Sequence, residues 1–486
     1  MSRVLFTAPP YDCWGVQVIG TWPPLQLAYL GQVTEDNGHE ARIFDAMSQA
    51  LTFDDIRAEI ENWNPDVVVA FDYMPVTGAV STATVPAALE ALSVAKSVNR
   101  EITTVMGGPH PTFLYEETLN DAAHVDIILR GEVEETFAEL LAALPDGDLS
   151  TVQGLAFRKG AEIVATPMRP HIEDLDPVTP AWHLLDWDIY SYNIEPWGRM
   201  ASILTSRGCM MGCSFCSHRQ FWRGDWRART PEVVIEEIRL LVDEYKVEFI
   251  TMIDPYPTND RERWEHLLDL LIAEDFDVRF LMETRVEDIV RDEDILSKYR
   301  DAGVMHLYLG AEGSTDEMLA SLNKGTDVDL NKRALDLARE YDIMTEASFM
   351  VGGKDETWES IEKTIEVAII LNPDIAVFPV LTPMPFTPIY DEMKDRIRVT
   401  DYSKYNLATP IIEPYEMSLE DVSVALGKCY MTFYANKMRE IVALPEGFKR
   451  SYMLSAFKVM MKGYGRHFEY LGLRMPKMPK MSDLGL

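Results

Sequence analysis

Short apolar runs alternate with helix-length amphipathic stretches through most of this chain. In the first 145 residues, Val4-Leu5-Phe6, Ala41–Phe44, Asp66–Ala70, Thr103–Met106 and Asp126–Leu129 have the length and β-branched character of buried strands. Trp22–Val33, Phe53–Asn62, Ala87–Val98 and a stretch ending at Leu144 carry the 3.6-residue period of helices. The runs end in turn residues: Pro9-Pro10, Asp45, Gly107-Gly108-Pro109-His110 and Arg130-Gly131-Glu132. Alternation of this kind predicts an α/β, doubly wound, Rossmann-like parallel sheet over 1–145, with ligands at the carboxyl ends of its strands. Residues 146–198 are rich in Pro, Asp and Trp and read as a connector with a small β piece at Gly154–Phe157 and Glu162–Val164.

From residue 199 the alternation resumes. Ser202–Thr205, Phe249–Ile253, Arg279–Glu283, His306–Leu309, Ala347–Val351 and Ala376–Leu381 are strand candidates, separated by helical patterns such as Pro231–Tyr245 and Arg261–Glu274. Six βα units over 199–390 predict a partial barrel with its chemistry at the carboxyl ends of the strands. Residues 391–486 are mainly helical. Met453, Phe457, Met460, Met461, Tyr464 and Phe468 share one face there, beside Lys449, Arg450, Lys458, Lys462 and Arg466.

Composition narrows the class. With 486 residues and 47% apolar content the chain can bury two or three cores, and no apolar run approaches the ~20 residues of a bilayer span. The start runs directly into a strand pattern without a signal-peptide core, and few cysteines suit a reducing compartment, so a cytoplasmic location is expected. A net charge of −34 argues against nucleic acid as a partner. From Lys428 onward, eleven basic residues face four acidic ones. This segment has three readings: core packing against the barrel mouth, docking on an anionic membrane surface, or a lid over a flat apolar substrate.

Three of the five cysteines fall within eight positions, as Cys209-Met-Met-Gly-Cys213-Ser-Phe-Cys216, on the loop after the first barrel strand. Three thiolates on one loop can hold three irons of a cubic [4Fe–4S] cluster and leave the fourth iron open to a small molecule. Zinc is the competing metal, but no second Cys or His pair completes a tetrahedral site, and His218 alone does not supply one.

This motif, with Phe215 inside it, resembles the CxxxCxxC signature of the radical S-adenosylmethionine (SAM) superfamily over roughly 199–385. The resemblance implies that SAM chelates the open iron and is cleaved reductively to a 5′-deoxyadenosyl radical. By position at strand ends it implies Asp254 facing the SAM ammonium, Glu283 near SAM and Arg285 on its carboxylate. Gly310, Glu312 and Ser314 would lie along the amino acid or ribose, and Gly352 where backbone approaches a ligand. A reductant such as flavodoxin or ferredoxin is implied as partner. Ordinary βα turns and surface ion pairs are the plainer alternative at each of these positions.

Residues 1–145 resemble the cobalamin-binding domain joined to many radical SAM enzymes. Corrin contacts are implied at Thr77, Gly78, Gly107, Gly108, Pro109, His110, Gly131 and Glu132. No Asp-x-His-x-x-Gly is present, so His110 is expected to be a corrin-side or structural hydrogen bonder rather than a cobalt ligand. A nicotinamide site is disfavoured, since no GxGxxG follows the first strand. Gly20–Pro24, Asp45–Met47, Phe221–Arg223, Thr382–Pro388 and Asp401–Tyr405 through Thr409–Ile412 extend the resemblance to the anaerobic magnesium-protoporphyrin IX monomethyl ester oxidative cyclases of bacteriochlorophyll synthesis. That subgroup implies a porphyrin substrate. The residues between Cys209 and Cys213 depart from its usual pattern, and the chain ends soon after the basic helix, which keeps a cobalamin-dependent C-methyltransferase open.

Overall fold

The first apolar run becomes the strand Arg3–Ala8 of a seven-stranded sheet in the computed structural model. The model describes residues 1–11, 19–72, 82–145 and 147–470, with side chains through 461. Five strands lie parallel in the spatial order Glu40–Asp45, Arg3–Ala8, Val67–Phe71, Thr103–Gly107, Ile127–Leu129. The order reverses between Arg3–Ala8 and Val67–Phe71, which places a ligand crevice at their carboxyl ends. Period-2 alternation gives the sheet two apolar faces. Val4 and Phe6 meet helices Leu25–Asp36 and Glu134–Ala143, whereas Leu5 meets Phe53–Trp63 and Val85–Val98.

The sheet differs from expectation at one edge. The small β piece of the expected connector, Leu155–Lys159 and Glu162–Ala165, joins it antiparallel beside Ile127–Leu129, so the sheet continues past residue 145. The physical reason is the short edge strand, whose backbone groups the hairpin pairs.

The second sheet contains all six expected barrel strands, parallel and in chain order: Gly198–Ile203, Phe249–Met252, Arg279–Thr284, Val304–Glu312, Met344–Phe349 and Ile375–Val377. Gly20–Thr21 crosses from the first domain and pairs with Ser191–Tyr192, which in turn pairs with the first barrel strand. Trp22 Nε1 donates to Thr251 Oγ1 at 3.3 Å, so the Gly20–Pro24 segment ties the two sheets together.

The carboxyl-terminal helices correct one expectation. Leu419–Ala443 starts at a capping box between Ser418 and Asp421 and packs along helix Trp358–Leu371. Helix Phe448–Tyr470 then buries Tyr452, Met453 and Ala456 against Met200, Phe249, Met305, Met344 and Ile375. Those five residues begin barrel strands or lie near their starts, so the helix closes the floor of the barrel and neither packs at the mouth nor covers it. Its polar anchor is Tyr452, whose hydroxyl meets that of Tyr192 and lies 2.9 Å from His306 Nδ1. The methionines and aromatics at the strand starts supply the apolar surface that this face buries. Tyr464 and Phe468 lie beyond the described side chains. Among the described residues no helix is long and apolar enough to cross a membrane.

Candidate functional site

The cysteine loop leaves the first barrel strand through a short ribbon, Ser206–Gly208 paired with Trp226–Ala228. Asp254, at the end of the second strand, fixes its root. The carboxylate accepts from Thr205 N (2.9 Å), Thr205 Oγ1 (2.8 Å), Ser206 Oγ (2.7 Å) and the Ser206 amide. At 1% exposure Asp254 is thus committed to the chain's own loop rather than presented to a SAM ammonium. Gly208 takes φ +98°, and a Cβ there would sit 2.0 Å from the Asp225 carbonyl oxygen, so this position requires glycine.

Beyond Gly208 the loop is held from the segment after helix Asp316–Ser321. Asn323 Nδ2 donates to the Gly212 carbonyl at 2.6 Å, and Ser214 N donates to the Leu322 carbonyl at 2.9 Å. Phe215 packs on the apolar cluster that contains Leu322, Met384 and Ile389. Cys213 is buried, and Cys209 and Cys216 are half-buried; all three are free thiols. Burial pushes the Cys209 thiol up and the Cys216 thiol up to about 12, with the neighbouring thiols adding to the effect. Metal ligation must therefore displace protons, and buried cations stand ready to stabilise the resulting charge. Arg285 Nη1 lies 4.0 Å from Cys213 Sγ, and Arg285 Nη2 donates to the Lys324 carbonyl at 2.6 Å. Among the described residues no three His, Cys, Asp or Glu side chains converge on one metal ion. A single zinc demands that convergence, whereas a cube takes each thiolate at a separate iron. The donor set fits a cluster.

Lys324 Nζ pairs with Glu312 Oε1 at 3.1 Å, and Ser348 Oγ donates to Glu312 Oε2 at 2.9 Å. Glu312 itself sits at φ +60°, a strained conformation for a non-glycine residue. Gly310 makes room for this pair, since a Cβ there would lie 2.4 Å from Lys324 Nζ. Glu283 projects from the third strand into the same region. Burial first, and then the charges of Glu346 and Glu312, push its carboxyl up to about 7. Arg285 thus lies beside Cys213, while Glu312, Gly310 and Glu283 gather around Lys324. Ser314 and Gly352 stand apart in local contacts: the Ser314 hydroxyl accepts from Thr364 Oγ1 at 3.1 Å, and Gly352 N donates to Glu356 Oε2 at 2.7 Å.

Between the two sheets lies an open cleft. One wall comes from Tyr29 of helix Leu25–Asp36 and from the carboxyl ends of the first sheet: Phe71, Asp72, Gly108, Pro109, Gly131 and Glu132. The facing wall comes from the barrel: Leu204, Arg207, His218, Phe221, Trp222 and Pro255. The glycines are sterically required. A Cβ on Gly107 would lie 2.4 Å from the Phe71 ring, and one on Gly108 would lie 1.4 Å from Asp72 Oδ1. His110 is 1% exposed, 3.2 Å from Thr82 Oγ1 and edge-on to Tyr402 and Phe386. Burial pushes its imidazole down to about 4, and it lines no part of the cavity. Thr77 and Gly78 lie outside the described residues.

Glu132 turns out to be a strut between the domains. Its carboxylate meets Arg207 at 2.7 Å and Arg227 at 3.0 Å, while Arg207 also meets Glu134 at 2.7 Å. Both arginines belong to the ribbon that carries the cysteine loop. The sequence expectation missed Arg207, Arg227, Asn323 and Lys324. Arginine in a strand-like segment just before Cys209 was a usable signal for a buried counter-charge; its partner, 75 residues away, was not readable.

Comparison with known proteins places these two walls in one family. Residues 203–368 match the family model of the Radical SAM superfamily, and residues 13–141 that of the B12 binding domain. The anaerobic magnesium-protoporphyrin IX monomethyl ester cyclase of Rubrivivax gelatinosus is 38% identical over 481 residues, covering 97% of this chain and 84% of that protein. The cyclase of Cereibacter sphaeroides is 37% identical, covering 97% and 77%. An uncharacterized methyltransferase of Pyrococcus horikoshii is 31% identical, covering 89% and 93%. Among solved structures, the radical SAM methyltransferase TsrM from Kitasatospora setae, with cobalamin and [4Fe–4S] cluster bound, superposes with TM-score 0.68 at 16% identity, over 96% of this chain and 100% of that one. The cobalamin-dependent radical enzyme OxsB gives 0.71 at 15% identity, over 98% and 74%. The chain belongs to the cobalamin-binding radical SAM enzymes, in the family that contains the anaerobic magnesium-protoporphyrin IX monomethyl ester cyclases.

Proposed function

We propose that this enzyme carries out oxidative cyclisation of a magnesium-protoporphyrin IX monomethyl ester-type tetrapyrrole. The observation that supports this most is the 38% identity to a cyclase over 97% of the chain, which spans both cavity walls and the segments outside the radical SAM core. Those outer segments clamp the corrin-side domain onto the barrel. Tyr402 OH donates to Glu117 Oε1 at 2.9 Å, Tyr11 OH donates to the Ser403 carbonyl at 3.0 Å, and Phe386 stacks on Phe113 at 5.0 Å.

When bound, the cluster with SAM supplies the radical that oxidises an inert C–H bond, and cobalamin takes part in electron or radical transfer. The chain's residues then have definable tasks. Cys209, Cys213 and Cys216 hold the cluster, and Arg285 stabilises the thiolate of Cys213. Arg285, Glu312, Glu283 and Gly310 bind SAM, and Gly108, Pro109 and Gly131 meet the corrin. Leu204, Phe221, Trp222, Ile253 and Pro255 give the barrel side an apolar surface that suits a macrocycle edge and excludes water. A ferredoxin or flavodoxin supplies electrons. The basic C-terminal segment makes peripheral membrane contact, and the protein works in the cytoplasm.

A C-methyltransferase is the second reading, favoured by the methyltransferase from Pyrococcus horikoshii that covers 89% of this chain. Anaerobic reconstitution with cobalamin, SAM and the porphyrin ester, followed by mass spectrometry, separates the two. Cyclisation with 5′-deoxyadenosine supports the first; a product heavier by one methylene with S-adenosylhomocysteine defeats it.

A further inference from the structure

Met210, next to the first cluster cysteine, is 46% exposed, and Cys209 is half-buried, so the cysteine loop reaches the protein surface here. One exposed guanidinium group, that of Arg219, lies against this outlet, and a second, that of Arg223, is exposed on the segment that follows it. Arg219 donates to the Met210 carbonyl, and Arg223 donates to the Arg169 carbonyl at 3.0 Å and to His171 Nε2 at 3.2 Å. Neither forms an ion pair with a carboxylate among the described residues. Asp225, the acid beside them in sequence, is engaged by His171 and Arg227 instead. This uncompensated positive charge sits on a chain of net charge −34. The chain's net charge repels acidic macromolecules over most of its length; at the cluster outlet these two guanidinium groups attract them locally.

We propose that the rim formed by Met210, Arg219 and Arg223 is the docking surface for a small acidic one-electron carrier protein. The proposal rests on the radical SAM chemistry above, which consumes one electron for each SAM cleaved. That electron passes from the carrier's reduced centre to the cluster without transfer of an atom or proton, and the carrier leaves oxidised. Electron transfer falls steeply with distance, so a carrier must seat where the cluster is nearest the surface. A polarisable exposed methionine with a guanidinium group against its carbonyl suits the small, charge-guided and short-lived interface of redox partners.

The test uses the reconstituted holoenzyme in anaerobic stopped flow, following bleaching of the cluster absorbance by a reduced acidic [2Fe–2S] ferredoxin or by photoreduced deazaflavin. The wild-type rate with ferredoxin should fall steeply with added salt. Arg219→Gln with Arg223→Gln should lower the ratio of the ferredoxin-driven rate to the deazaflavin-driven rate by about tenfold or more. A salt-insensitive ferredoxin rate, or an unchanged ratio, overturns the docking surface. If the double variant does not assemble its cluster, the wild-type salt series decides alone. Failure of deazaflavin to reduce the wild-type cluster, or of the reduced enzyme to cleave SAM, would overturn the radical SAM reading itself.

Discussion

Replacing Glu132 by glutamine tests whether the two sheets are held in register by charge. The carboxylate is 3% exposed and meets Arg207 at 2.7 Å and Arg227 at 3.0 Å; the Ile172 amide donates to it at 2.7 Å. Glutamine keeps the shape and an acceptor for Ile172 but leaves two guanidinium groups short of a counter-charge. Removing one partner of a buried pair costs about 3–5 kcal/mol. Arg207 retains Glu134, so about 3 kcal/mol is expected, which lowers Tm by about 6–12 °C for a cooperative unit of about 150–250 residues around the first sheet. Burial pushes the Glu132 carboxyl up, but Arg207 and Arg227 outweigh it and hold the pKa below the ordinary 4.5. A depressed pKa gives stability that is fully present above the unfolded value and is lost as pH falls through the folded one. The wild-type advantage should therefore be full at pH 7 and shrink on acidification below about pH 4.5. Thermal melts of both proteins across this range check it. A gap under about 2 °C at neutral pH, or one that does not narrow in acid, refutes the strut.

Cys213→Ala should abolish both the iron–sulfur absorbance and SAM cleavage; survival of the two together contradicts the cluster assignment. Gly208→Ala forces a Cβ to 2.0 Å from the Asp225 carbonyl oxygen at φ +98°, so the ribbon must shift. Iron content after reconstitution should drop severalfold, and full loading would show that the ribbon tolerates the strain. Glu283 is raised from 4.5 to about 7 by burial and then by Glu346 and Glu312. A raised carboxyl pKa means stability present below the unfolded value and lost as pH rises through the folded one. The SAM-free enzyme should thus lose on the order of 3 kcal/mol between pH 4.5 and 7. Glu283→Gln should flatten that slope in thermal melts, and parallel slopes would remove Glu283 as its origin.

Periodicity made the two sheets legible. Each of the six barrel strands was readable because a buried parallel strand is a near-continuous apolar run, and the cysteine spacing is a local property of one loop. The role of Asp254 was misjudged because the end of a strand gives position but not direction: its carboxylate turns back to Thr205 and Ser206. The lodging of His110 among Thr82, Phe386 and Tyr402 was not legible, because it brings together segments far apart in the chain. The helix Phe448–Tyr470 was readable as helix and apolar face. Which end of the barrel that face covers was not, because amphipathicity reports only that a face must be buried.

The sequence alone therefore determined the three-cysteine loop and the two α/β sheets, since cysteine spacing and hydrophobic period act over a few residues. Only the tertiary structure decided how the two are joined: the ribbon beside Cys209 is locked to the corrin-side domain through Arg207, Arg227 and Glu132. It also decided that the basic helix forms the barrel floor and that Arg219 and Arg223, without a carboxylate partner among the described residues, stand exposed after the cysteine loop. Charge pairing and burial depend on distances across the fold, which no local pattern encodes.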